Sequence, residues 1–371
     1  MRPRPEIEGL EACPHGGLNP AELKAMGLDP ESVLDFSVCS NPFMPPSGVI
    51  RVLDAVAVNR YPDTRATEFR QCLSTKLGVT PDNIVAGSGA VELIRLIALT
   101  YFGKGDSVLI LEPTFGEYRV ACQIVGANVV GLFGKEKEGF IVETEEIISL
   151  IRQHSPKGVF ICNPNNPTGQ YLTRKDIELI LEAIGDGLLI LDEAYITFAE
   201  GSWPSIDLIH QGNVVIVRSM TKDYALAGLR LGYAVSSAQI INALNRVRPP
   251  WNVNAVAQKA GVIALNDDGY LERCKAEIKK AKQFLMDELC QLGFTLVPSR
   301  ANFFLVRVIN ATGFRDALLK RGILVRDCTS FGLPQYVRIA PRTMAECRQL
   351  ISAIQAMKDE GEIDVISHAG E

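Results

Sequence analysis

The sequence predicts an α/β fold, in which a large unit built on a mainly parallel sheet is followed by a smaller α+β unit. Three observations carry this. Short apolar runs rich in Val, Ile and Leu recur between helical stretches, polar residues stand at the ends of those runs, and 371 residues exceed what one small core holds. Strands buried on both faces read as continuous apolar runs, and helices on both sides of a parallel sheet produce that burial.

The runs are NIVAG at 83–87, SVLILE at 107–112, GVFIC at 158–162, GLLILD at 187–192, NVVIVRS at 213–219 and GYAVSS at 232–237. GSGAVELIRLIAL at 87–99 joins the first of them to an amphipathic helix through a glycine turn. Beyond RPPWNVN (248–254), a charged amphipathic stretch runs from Ala255 to Leu292. FTLVPSRANFFLVRV and ILVRDCTSFGLPQYVRIAPRT then supply the strands of the smaller unit. The expected division is an N-terminal arm over 1–45, a large unit over 46–250 and a small C-terminal unit over 251–371. The arm is too short to fold alone, so it is expected to pack on the small unit and the mouth of the site. The tail after Lys358 is expected to fray.

A net charge of -5 without any long Lys/Arg run argues against a nucleic-acid groove or an anionic membrane surface as partner, leaving small molecules. The nine cysteines are scattered, with no Cys-x-x-Cys pair and no cluster with histidine, so neither a disulfide framework nor a metal site is expected. The N-terminus MRPRPEIEGLEACPHGG has no apolar signal core, and no run of ~18 apolar residues occurs, so neither export nor membrane spanning is expected. A cytoplasmic protein is the resulting expectation.

RSMTKDYALAGLRLGY at 218–233 places Lys222 beside Ser219 and Thr221, with Arg230 close behind. A surface lysine needs no such company. In GSGAVE the amides of Gly89, Ala90 and Val91 fall at a helix N-terminus, which attracts an anion. The pattern lacks the third glycine of a dinucleotide fingerprint and serves a plain strand-to-helix turn equally well. GLLILDEAYITF ends its apolar run in Asp192, and the carboxyl ends of parallel strands are where such sheets hold ligands. CNPNNPTG at 162–169 is a rigid turn that either presents Asn166 inward or caps a helix.

The set GSGAVE, EPTFGEY, NPNNPTG, DEAY, S-x-T-K and AGLRLGY, in that order and over nearly the whole chain, resembles the pyridoxal-phosphate enzymes of the aspartate-aminotransferase fold, fold type I. The resemblance implies a seven-stranded central sheet, pyridoxal 5'-phosphate as cofactor, and Lys222 as the lysine that holds it as a Schiff base. That lysine must be neutral when it attacks, although a free lysine titrates near ~10.4, and desolvation and nearby cations lower it. Arg230 resembles the phosphate-binding arginine, sharing the phosphate with Ser219 and the amides of Ala90 and Val91. Asp192 would face the pyridine nitrogen, where opposite charges ~4 Å apart are worth on the order of 4 kcal/mol at an effective dielectric of ~20, about three pKa units. Tyr195 and Asn166 match the partners of the ring hydroxyl, and Phe115 matches the aromatic that stacks on the ring, a core phenylalanine being the other reading. Tyr61 in NRYPDT resembles a tyrosine reaching the phosphate of a neighbouring subunit, which implies a homodimer with shared sites.

For the substrate, Arg326, Arg338 and Arg342 lie on or beside two otherwise apolar strands, where arginines are costly unless paired. Arg338 resembles the fork for an amino-acid carboxylate, and Arg326 resembles the arginine that binds substrate phosphate in histidinol-phosphate aminotransferases. Three stretches point instead to the threonine-phosphate decarboxylases, which make aminopropanol phosphate for cobalamin. CPHGGLNP (13–20) offers His15 to a phosphate with Gly16 allowing close backbone approach, a threonine precedes Lys222, and Arg342 stands in RIAPRT. DFSVCSNPFMPP departs from that subfamily at Cys39 and Ser40 and leaves Asn41 as the substrate-facing residue. The expected reaction is therefore decarboxylation of a phosphorylated amino acid, foremost L-threonine O-3-phosphate, with Arg326, His15 and Arg342 clasping the phosphate. The alternative is transamination of histidinol phosphate with 2-oxoglutarate, in which Lys222 shuttles the Cα proton. The two differ in which Cα bond stands perpendicular to the pyridine plane. A non-catalytic sensor fused to a DNA-binding domain is disfavoured by the short, weakly basic N-terminus.

Overall fold

The computed structural model describes residues 1–363, the side chains of residues 53 and 54 excepted. The expected fraying after Lys358 falls mainly on residues 364–371, outside those described. The central sheet has seven strands in the spatial order Ile84–Gly87, Gly232–Ser236, Val214–Ser219, Leu188–Asp192, Gly158–Cys162, Ser107–Glu112 and Asn128–Phe133. Gly232–Ser236 runs antiparallel to both its neighbours, and every other pairing is parallel. All six apolar runs read from the sequence are strands. The seventh, Asn128–Phe133, is an edge strand that is half-buried and interrupted by Gly131, so it lacks the continuous apolar signal of the others.

Alternation along the strands divides the sheet into two apolar faces. Leu109, Val159, Leu189 and Ile216 point to one face, against Phe69, Ile147, Ile151, Ile177 and Ala260 from the helices there. Val108, Phe160, Ile190 and Val215 point to the other, against Leu93, Ile97, Ala121 and Leu244. Each such side chain, fully buried, contributes ~1.5–3 kcal/mol over exposure. The central strands are thereby held on both sides, and their carboxyl ends are fixed in space.

A separate core gathers Phe36, Leu285, Phe304, Val306, Leu318, Val337, Ile339 and Ile354. Phe304–Arg307, Tyr336–Ile339 and Arg326–Asp327 form a three-stranded antiparallel sheet there. Leu34–Asp35 pairs in parallel with Ile323–Leu324, which ties the N-terminal segment to this unit. The single amphipathic stretch expected over Ala255–Leu292 is two helices, Ala255–Leu265 and Tyr270–Gln291, separated by the polar Asn-Asp-Asp-Gly of 266–269. The second bridges the two units, with Ile278 in the core of the large sheet and Leu285 and Leu289 in the C-terminal core.

Candidate active site

The strands Gly158–Cys162, Leu188–Asp192 and Val214–Ser219 end at a cavity of about 370 Å³, lined by Cys162, Asp192 and Ser219 at those ends. The cavity lies where a parallel sheet exposes its strand termini, and its size suits a small cofactor with its substrate. Residues 13–16 and 37–40 close one side, and Arg326, Phe331 and Arg338 another.

Lys222 sits in the short helix Met220–Asp223 directly after the Val214–Ser219 strand. Its ammonium lies 5.8 Å from the centroid of the Tyr195 ring, and it forms no hydrogen bond or ion pair among the described residues. Burial lowers its pKa, and the cationic Arg338 and Arg230 add to the effect, while Cys39 and Asp192 oppose it. Asn41 donates its backbone N–H to the Lys222 carbonyl at 2.7 Å, locking the turn that carries the lysine.

Around one end of the cavity, Ala90 and Val91 open the helix Ala90–Tyr101, whose first amides have no acceptor within the helix. Gly89 precedes them at φ +78°, and a Cβ there would stand 2.8 Å from Arg230 Nη2. Only glycine meets both conditions. Arg230 is exposed, and among the described residues its guanidinium bonds only the Ala227 carbonyl, at 3.2 Å. Ser219 and Thr221 hydroxyls lie 2.5 Å apart beside it. The Ala90 and Val91 amides, the Ser219 and Thr221 hydroxyls and the Arg230 guanidinium thus line one cavity without an anion of the protein bonded to them among the described residues, which is the chemistry of a phosphate seat.

At the other end, Asp192 is 3% exposed. It accepts from Tyr118 Oη at 2.7 Å and from the Ala194 amide at 2.9 Å. Burial pushes its carboxyl up to about 6 against those two bonds. The turn of 163–169 divides its asparagines by role. Asn163 bonds Leu172 through both its carboxamide atoms, Asn165 bonds Thr114, Pro113 and Thr168, and Asn166 alone reaches the cavity, accepting from Arg338 Nη1. Arg338 is buried, donates to the Ser37 carbonyl at 2.7 Å, and leaves its Nε without a partner. It is in no ion pair among the described residues. A buried guanidinium with only neutral acceptors is strongly disfavoured until an anion arrives. These groups, lining one cavity with Lys222, fit the chemistry of pyridoxal phosphate: donors for a phosphate, a carboxylate for a ring nitrogen and an amine for an aldehyde.

His15, Gly16, Ala90, Val91, Phe115, Asn166, Asp192, Tyr195, Ser219, Lys222, Arg230, Arg326 and Arg338 therefore share one cavity. Other expected residues lie elsewhere. Asn41 is buried, donates its amide to Asp223 O and Tyr270 Oη, supports the lysine turn and is not among the residues lining this cavity. Arg342 is paired with Glu346 Oε1 at 2.7 Å and donates to Asp35 O, off the cavity. Tyr61 is exposed and stacks on Trp251 at 4.3 Å. His15 reaches the cavity, but its Nε2 lies 3.2 Å from Glu117 Oε1. Gly16 serves packing, since a Cβ there would meet Ser37 O at 2.9 Å. Sequence reasoning missed Tyr118, although it stands in the same EPTFGEY stretch as Phe115, because only the fold brings it to Asp192. It also missed the ion pair of the buried Glu193 with the half-buried Arg218 at 2.8 Å, which braces the DEAY turn.

Residues 32–354 match the family described as Aminotransferase class I and II. The chain is 36% identical over 326 residues to the histidinol-phosphate aminotransferase of Symbiobacterium thermophilum, covering 86% of this chain and 89% of the relative. The crystal structure of the histidinol-phosphate aminotransferase from Clostridium acetobutylicum superposes with a TM-score of 0.81 at 29% identity, over 88% of this chain and 100% of that one. That of the L-threonine-O-3-phosphate decarboxylase from Porphyromonas gingivalis gives 0.78 at 26% identity, over 88% and 100%. Several curated relatives at 33–36% identity carry the first name, and this overturns the expectation of a threonine-phosphate decarboxylase. The structure supplies the physical reason, because two of the three stretches behind that expectation serve other partners: His15 bonds Glu117, and Arg342 bonds Glu346. The chain is an enzyme of the class I and II aminotransferases, built on the type I fold with pyridoxal 5'-phosphate as its cofactor.

Proposed function

We propose that this enzyme transfers the amino group of histidinol phosphate to 2-oxoglutarate, giving the corresponding phosphorylated ketone and glutamate. The observation that carries the reading is the agreement of the curated relatives at about a third identity over most of the chain. The cavity supports it, since two of its arginines, in no ion pair among the described residues, suit substrates that are anions. Arg338, buried and lacking an anionic partner, would take the carboxylate or phosphate nearest the reacting carbon. Arg326 is tethered to Pro14 O at 2.8 Å and Ser330 Oγ at 2.7 Å, with its guanidinium 5.3 Å from the Phe331 ring, and would hold a phosphate at the mouth. A phosphate monoester and a dicarboxylate must use the same cavity in turn, and two arginines at different depths accept either.

When bound, the cofactor supplies an electron sink for the bond broken at the substrate's Cα. Asp192, as a carboxylate, would hold the pyridine nitrogen protonated. Arg230, Ser219 and the Ala90 and Val91 amides would anchor the phosphate, and Tyr195 and Asn166 would meet the ring hydroxyl. Phe115, edge-on to Tyr118 at 5.7 Å, would cover one ring face. The Lys222 amine, whose pKa burial lowers with the two arginines adding to the effect, would take the Cα proton and return it. Tyr61, exposed on its Trp251 platform, would serve a second copy of the chain in a homodimer. All nine cysteines are free, which suits the cytoplasm as the compartment. No helix among the described residues is long and apolar enough to cross a membrane.

Steady-state kinetics test the reading. Histidinol phosphate should support glutamate formation from 2-oxoglutarate with kcat/KM at least about a hundredfold above that of histidinol, the loss of a charge-paired phosphate being worth ~3 kcal/mol. Equal use of the two amines, or no glutamate from either, would overturn it.

A further inference from the structure

At the cavity mouth, Cys13, His15 and Glu117 bring a thiol sulfur, an imidazole nitrogen and a carboxylate oxygen within 4.8 Å of one another. The sequence conceals this set. Cys13 and His15 are two residues apart on the N-terminal segment, and Glu117 opens the helix Glu117–Ile124 a hundred residues on. Each member is placed by something else in the fold. Glu117 is 4% exposed, and Arg95 Nη2 holds its Oε2 at 2.9 Å, which turns Oε1 toward His15 at 3.2 Å. A hydrogen-bonded outer oxygen that orients the inner one is how protein carboxylates are presented to metals. The sulfur of Cys13 lies against Gly116, where a Cβ would approach it to 2.6 Å, so the missing side chain at 116 makes room for it. The His15 side chain is 53% exposed and free to adjust.

We propose that Cys13, His15 and Glu117 form a zinc site whose fourth position opens into the cavity, and that its occupancy reversibly stops turnover. The donors decide the ion: a thiolate and an imidazole beside one carboxylate oxygen select zinc over magnesium or calcium, which take oxygen ligands. Bonds of ~2.0–2.3 Å place these tetrahedral ligands roughly 3.3–3.5 Å apart, so the set must contract by at most about 1.5 Å. The charges balance, because the dication meets one thiolate and one carboxylate, and binding releases the thiol proton to solvent. That neutrality lets the ion sit near Arg95 and Arg326. Cys13 and His15 line the same cavity as Lys222 and Arg326, so three protein ligands leave a coordination position facing the substrate's path. Water fills that position, or a substrate phosphate is captured there, away from Lys222.

Cobalt serves as the spectroscopic probe. Holoenzyme freed of metal by chelation should bind one Co²⁺ per chain, with visible tetrahedral bands and a thiolate charge-transfer band that added Zn²⁺ abolishes. Cys13→Ser and Gly116→Ala, the second retaining the thiol but filling its space, should each weaken binding at least about tenfold and remove or displace the thiolate band. Zinc should inhibit the wild type at concentrations that leave Cys13→Ser unaffected, and chelator should restore activity. Cobalt bands unchanged in Cys13→Ser, or equal zinc inhibition of both proteins, would overturn the proposal. The cobalt titration needs no turnover, so a failure of the aminotransferase reading would not be mistaken for a failure of this one.

Discussion

Replacing Tyr118 with phenylalanine removes a single hydroxyl from the interior, and its effect follows from the bond that hydroxyl makes. Tyr118 is fully buried, stacked on Phe160 at 5.0 Å, and donates to Asp192 Oδ2 at 2.7 Å. The titratable groups facing Asp192 are Tyr118, Cys162, Glu193, Tyr195 and Lys222. Burial holds Asp192 at about 6 in the cofactor-free protein, with the Tyr118 hydroxyl pulling it down. A hydrogen bond to a charged group is worth ~1.5–3 kcal/mol, or about one to two pKa units. The hydroxyl stabilises the anion, so Tyr118→Phe should raise the Asp192 pKa further. With Asp192 proposed as the pyridine-nitrogen partner, cofactor binding requires the anion. Above both values the carboxylate is ionised with and without cofactor, and the lost bond cancels from the affinity. Below them the cofactor-free protein is protonated, binding must expel that proton, and the full loss appears as a rise in Kd of about tenfold to a hundredfold. Equilibrium dialysis of pyridoxal phosphate across about pH 5 to about pH 9 reads this directly, since the cofactor's own titrations are common to both proteins. Superimposed curves, or a constant offset at every pH, would refute the link between Tyr118 and the charge on Asp192.

Lys222→Ala should lower kcat by at least about a thousandfold, and reconstituted protein should lack the visible absorbance of the lysine-bound cofactor; a retained band would remove Lys222 from its proposed role. Arg326→Met should cut kcat/KM for histidinol phosphate by about tenfold to a hundredfold while changing that for histidinol far less, and steady-state kinetics on both amines would expose an equal loss as structural. Arg342→Ala should leave both KM values unchanged and cost about 1 kcal/mol in urea unfolding through the lost Glu346 pair; a raised KM would return Arg342 to the substrate.

The parts of the site that were legible in the sequence are those carried by local strand ends. Asp192, Ser219 and Lys222 follow apolar strands by zero to three residues, and Ala90 and Val91 follow another through a glycine turn. Their positions need only the sheet. What misled was tertiary. Arg342 is the exception, since its partner Glu346 is only four residues on, in the first turn of the helix Met344–Asp359, a local pairing that the sequence already offered. His15 reads as an unoccupied donor until Glu117 arrives from a segment 102 residues away. Tyr118 is not singled out by its sequence context, and only the fold places its hydroxyl against Asp192, since it is buried in the helix Glu117–Ile124. The edge strand Asn128–Phe133 escaped because half-burial breaks the apolar pattern that marks its neighbours.

The central claim, amino transfer from a phosphorylated amine, is tested most directly by single-turnover product analysis with stoichiometric holoenzyme. Histidinol phosphate alone should leave the amino group on the enzyme, and subsequent 2-oxoglutarate should release close to one glutamate per active site with no carbon dioxide. Carbon dioxide from threonine phosphate, with the cofactor returned as aldehyde and no glutamate from histidinol phosphate, would contradict it.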